Sequence, residues 1–175
     1  MNLFWAALFL LLPVAGQYYV SVRVWQLLPA IPLLRTSVVV LMALSFIGFF
    51  VAMSGLLDKL PLGLASFIYE VGTSWLVILL YMVMLFAVLD LGAAVGIIPH
   101  SFLKTSVLGS ISVTLLLTVL FTYAYFHYDN KQRVELTLAS KGKLSRNMTL
   151  VMGSDIHLDY HNRRSDLHRW LERIK

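Results

Sequence analysis

Asp155 and His157 stand two residues apart in "SDIHLDYHNRR" (154–164), with Asp159 and His161 close behind. A carboxylate and an imidazole both ligate divalent transition metals, the imidazole suiting zinc or iron and the carboxylate accepting harder ions. Residues two apart in extended backbone point to one side, so the Asp155 and His157 side chains can share one ion. The pattern is short, and a surface Asp beside a hydrogen-bonded His has it too. His161 lies four residues after His157 and would need a helix to join them, whereas the Asp155–His157 pair implies a strand end. It reads as an exposed loop residue, with Asp159 and His161 as accessory groups at most. His168 follows a charged helix face and is expected in solvent.

The flanking segments must position that pair. "RVELTL" (133–138) puts Val134, Leu136 and Leu138 on one face and Arg133, Glu135 and Thr137 on the other, the alternation of a half-buried strand. "SKGKLSRN" (140–147) is a polar loop with a glycine, and "MTLVM" (148–152) is an apolar run suited to a strand covered on both faces. In "SDLHRWLERIK" (165–175), Leu167, Trp170, Leu171 and Ile174 fall at i, i+3, i+4 and i+7, the spacing of an amphipathic helix. The order strand, loop, strand, helix places Asp155 and His157 just past the carboxyl end of a buried strand, where open sheets bind ligands.

The rest of the chain belongs to another solvent. Of 175 residues 59% are hydrophobic and only 13% charged, against about 45–50% and about 25% in an ordinary globular domain. Residues 1–128 carry Arg23, Arg35, Lys59 and Lys104 against Asp58, Glu70 and Asp90, whereas residues 129–175 carry ten Lys/Arg against six acids. The basic balance is thus a property of the tail and gives no reason to expect nucleic acid. With no cysteine, disulfides and thiolate metal sites are excluded.

A spanning helix needs about 20 apolar residues to cross about 30 Å of hydrocarbon. Four segments have that length: Leu3–Val22, Thr36–Leu57, Phe67–Leu89 and Thr105–Phe126. The first has no basic residue before Arg23, so a retained span is expected rather than a cleaved leader. Short proline-bearing links at 27–35, 55–63 and 96–104 suit antiparallel neighbours. Glu70 and Asp90 are open to a proton-relay or ion-site reading. Their spacing, about 30 Å along a helix, favours the plainer one, a solvated carboxylate at each interface. Counting basic residues beside the spans gives six on the side of the tail and three on the other, which puts the C-terminus in the cytoplasm.

With its preceding strand and following helix, "LVMGSDIHLDYHNRR" resembles the first motif of the calcineurin-like metallophosphoesterases, and the four spans ahead of it resemble the membrane-anchored bacterial members. The resemblance rests on about 25 residues of tail. It implies an α/β/β/α sandwich holding two metals of the Mn, Fe or Zn type, with Asp155 and His157 as metal ligands. Metal pairs of this kind activate a bound water for in-line attack on a phosphoester. Asp159 stands where the family commonly has Gly, and the family's later motifs (G-D, G-N-H and the downstream histidines) are absent before Lys175. Two ligands do not make a catalytic site.

The expected fold class is therefore four transmembrane helices (1–128) followed by the truncated start of an α/β metallophosphoesterase domain (129–175). The expected function is membrane-anchored phosphoester hydrolysis, incomplete and inactive in these 175 residues. The expected partners are the lipid bilayer and a phosphoester of unknown type, and the place is the bacterial inner membrane. The alternative is a non-catalytic four-helix integral membrane protein, a small transport subunit or scaffold, with a basic tail.

Overall fold

The computed structural model describes residues 3–129, 142, 160 and 164–172, with side chains from Leu11 onward in the first helix. They fall into two units, 1–120 and 121–175. The helices are α1 (Leu3–Leu27), α2 (Pro32–Met53), α3 (Leu62–Ala94), α4 (His100–Leu103), α5 (Val107–Asp129) and α6 (Arg164–Glu172), with a 3-10 turn at Leu56–Lys59.

Two parts of the expected fold class are corrected. Among the described residues three helices, not four, are long and apolar enough to cross a membrane: α2, α3 and the Val107–Tyr128 part of α5. The Leu3–Val22 segment is helical within α1, whose described side chains begin at Leu11 and include Gln17, Tyr18, Tyr19, Ser21, Arg23 and Gln26. Several of these side chains bond α3 or the chain's own turns, as detailed below. The α/β domain also finds no counterpart, since the described residues contain helices and turns but no strand or sheet. The expected strands at 133–138 and 148–152 lie outside the described residues. In the tail the described element is α6, with Leu167 and Trp170 half-buried and Leu171 exposed, on the spacing the sequence shows.

Helix limits follow local chemistry. Pro32 opens α2, where a fixed φ and a missing N–H cost nothing. The helix ends at Ser54, and Gly55 at φ 73° supplies the left-handed residue that turns the chain. α2 is thereby displaced about a turn toward the N-terminus from the expected 36–57. α3 is much longer than the expected 67–89. Its 33 residues span about 50 Å, more than a hydrocarbon core requires.

α3 is the centre of the first unit. Leu79, Met82 and Phe86 pack with Val20, Val24 and Leu27 of α1, Met42 of α2 and Val113 of α5 in one apolar cluster. Where α2 meets α3, a Cβ placed on Gly72 would lie 2.5 Å from the Gly48 carbonyl carbon and from the Phe49 nitrogen. Only glycine permits that backbone approach, the small-residue packing by which helices associate in lipid. Hydroxyls on these helices turn back on their own backbone: Ser45 Oγ to Leu41 O at 3.0 Å, Thr73 Oγ1 to Tyr69 O at 2.6 Å and Thr118 Oγ1 to Thr114 O at 2.8 Å. Such bonds satisfy polar groups where water is absent. The outward faces are apolar, with Leu41, Leu44 and Ile47 on α2, Leu80, Met84 and Val88 on α3, and Leu108, Leu115 and Val119 on α5 all exposed.

Candidate functional site

The polar groups of the first unit gather at one end, where α1 and α3 finish and α2 and α5 begin. Tyr19, Arg23 and Gln26 occur at i, i+4 and i+7 on α1 and so share a face. Arg23 Nη2 lies 2.6 Å from Asp90 Oδ2 of α3, and the Tyr19 hydroxyl donates to the same oxygen at 2.5 Å. Arg23 Nη1 donates to Gln26 Oε1 at 2.9 Å, and its guanidinium stands 5.8 Å from the Tyr19 ring centre. Both partners of the ion pair are partly covered. Asp90 is therefore one carboxylate serving two donors, not the solvated interfacial acid expected from sequence.

A second polar link lies on the same pair of helices. Trp75 Nε1 donates to Gln17 Oε1 at 2.9 Å, and Gln17 Nε2 donates to Ser21 Oγ at 3.2 Å. Gln17 is buried, so the amide saves both itself and the indole N–H from an unpaired state that would cost a few kcal/mol in an apolar setting. Ser66, at 1% exposure, has no hydrogen-bond partner for Oγ among the described residues.

The carboxyl end of α1 is closed by the residues just before α5. Thr105 N donates to Gln26 O at 2.7 Å and Ser106 N to Leu27 O at 2.9 Å. Arg35 adds charge from the first turn of α2. Its Nη2 donates to Leu28 O at 2.6 Å and its Nε to Pro29 O at 3.0 Å. A cation over the last carbonyls of a helix opposes the macrodipole. Thr105 holds its place with φ 53°, a left-handed conformation that is strained for a β-branched residue.

Glu70 is exposed and lies twenty residues before Asp90 on α3, about 30 Å at the helical rise. Both acids thus stand on one continuous helix, Glu70 exposed and Asp90 partly covered by its donors. Arg23 and Tyr19 are the residues that sequence reading misses, because Arg23 falls just past the expected Leu3–Val22 span and reads as a flanking charge. The i, i+4, i+7 spacing of Tyr19, Arg23 and Gln26 opposite a helix with one terminal acid is the signal that points to them.

Asp155, His157, Asp159 and His161 all lie outside the described residues. His168 is exposed on α6, as expected. Among the described residues no group of three or more His, Asp or Glu side chains is placed to hold a metal ion. No family model, curated protein or solved structure matches the chain.

Proposed function

We propose that this chain is a helical integral membrane protein that anchors or scaffolds, with a basic tail carried at the bilayer surface. What supports this reading most is the pairing of three spanning-length helices with outward faces built of large apolar side chains. Several of its polar side chains, in turn, hold helices and links together: Asp90 is bound by Arg23 and Tyr19, Gln17 by Trp75, and the Leu28 carbonyl just past α1 by Arg35. A small transport subunit is the same physical object with a different partner. In a bacterium the host would be the inner membrane, and the balance of basic residues puts the C-terminus in the cytoplasm. After alkaline carbonate extraction the full chain stays in the membrane pellet, and protease added to inside-out vesicles removes the tail. Release into the supernatant overturns the membrane reading, and a protected tail reverses the sidedness.

One observation favours a second reading, a metal-dependent phosphoesterase. It is the "SDIHL" segment with Asp155 and His157, the ligand types of the metallophosphoesterase first motif. On that reading the two side chains contribute to one metal position, and the remaining ligands come from elsewhere. The test is manganese or zinc binding to the chain, read by calorimetry, in the parent and in Asp155→Ala and His157→Ala. Binding that is weakened in both variants supports it; no binding by the parent, or equal binding by all three, removes it.

A further inference from the structure

We propose that the end of the first unit formed by Trp25, Arg35 and Lys104 is a binding surface for an anionic phospholipid headgroup. The proposal goes beyond anchoring and depends on no catalytic reading.

It starts from charge. Among the described residues of this end stand Arg23, Arg35, Lys104 and the single acid Asp90, and Asp90 is taken by Arg23 at 2.6 Å. Two cations are left over. The opposite end of α3 faces the other way in charge, with Asp58, Lys59 and Glu70. The surplus is therefore confined to one level of the helix bundle, where α1 ends and α2 begins.

The surplus is also held in place with donors to spare. Arg35 is half-buried and fixed by three bonds to backbone carbonyls, two at Leu28 O (2.6 and 3.2 Å) and one at Pro29 O (3.0 Å). Its Nη2 also approaches Thr105 Oγ1 at 3.4 Å. These bonds use Nε and Nη2, and Nη1 has no hydrogen-bond partner among the described residues. The guanidinium carbon stands 5.8 Å from the Trp25 ring centre, so the indole supports the cation from one side. Trp25 is itself 42% exposed, and its N–H has no partner among the described residues. Lys104, next to Thr105, is exposed and likewise unpaired.

The result is a set of N–H donors without a facing acceptor: Arg35 Nη1, Trp25 Nε1 and the Lys104 ammonium. A phosphate diester accepts from all three donor types, and Arg is the residue best suited to it. The location selects the lipid as its source. Tryptophan and arginine at the ends of apolar helices occupy the headgroup level, and Leu33 and Leu34, beside Arg35 on α2, are exposed apolar side chains ready to meet acyl chains.

The test is native mass spectrometry of the full chain released from micelles that contain equal amounts of phosphatidylglycerol and phosphatidylcholine. The parent retains phosphatidylglycerol in preference to phosphatidylcholine. Lys104→Gln, which leaves every bond of α1 and Arg35 in place, lowers that preference by about fivefold, the effect of one basic residue near an anionic surface. Adding Arg35→Gln removes most of what remains. Lys59→Gln, at the other end, leaves the preference unchanged. Equal retention of the two lipids by the parent overturns the proposal, as does a preference that Lys104→Gln does not alter or that Lys59→Gln lowers as much.

Discussion

α3 is held by two neighbours in two different ways. Against α2 it uses absence: at Gly72 a single methyl would meet the main chain of Gly48 and Phe49 at 2.5 Å. Against α1 it uses presence: a carboxylate, a guanidinium, a phenol, an indole and an amide joined by hydrogen bonds. In a lipid-like medium neither contact gains from expelling water, because the alternative surroundings are as apolar as the partner. Close packing and polar pairing are what remain, and this unit uses one on each side of its central helix. The difference predicts different sensitivities. The glycine contact fails on addition of volume; the polar contact fails on loss of one partner.

The largest effect is expected at the glycine contact. Gly72→Val forces α2 and α3 apart and lowers stability by about 3 kcal/mol or more, with Gly72→Ala nearer 1–3 kcal/mol. Thermal unfolding in detergent gives both values. A neutral Gly72→Val would mean that the two backbones do not touch.

Next comes the ion pair. Asp90→Asn leaves Arg23 half-covered without its counter-charge and costs about 1–3 kcal/mol. Asp90→Asn combined with Arg23→Gln costs less than the sum of the two single changes, because the orphan charge is gone. Simple additivity in that cycle would show that the residues do not interact.

Smaller again is Gln17→Leu, which strands the Trp75 indole N–H. Its expected cost is about 0.6–2 kcal/mol, the range for hydrogen bonds between helices in membranes. A gain in stability would place Trp75 elsewhere. The smallest effect has the opposite sign. Thr105→Gly relieves the positive φ while keeping the N–H that caps α1, and raises stability by about 0.5–1 kcal/mol. Destabilisation instead would assign the threonine side chain a larger part than its 3.4 Å approach to Arg35.

The contrast between the two contacts also explains what the sequence makes legible. Length and apolarity suffice to find α2, α3 and α5, since any uncharged run of about 20 residues carries the signal whatever it packs against. The period of Leu167, Trp170 and Leu171 likewise announces α6. Arg23 misleads. A charge beside an apolar run reads as a boundary, but here a partner on α3 lets the helix continue to Leu27. The same pairing partly covers Asp90. Gly72 does not stand out among ten glycines, because a close approach depends on the facing helix and not on the residue alone. The metal-ligand types at 155–161, where the chemistry of the sequence is most concentrated, fall outside the described residues, so the polar seam of α1 and α3 is a site found from structure.

Most directly at stake is whether the exposed apolar faces meet lipid. The chain has no cysteine, so an introduced one reports alone. Leu80 and Leu115, at 58% and 60% exposure, are replaced one at a time by cysteine in the full chain reconstituted in vesicles, with Gly55→Cys at the turn after α2 as the reference. A water-soluble maleimide is expected to label Gly55→Cys in permeabilised vesicles but to leave Leu80→Cys and Leu115→Cys unlabelled until detergent denaturation. Equal labelling of all three before denaturation would contradict it.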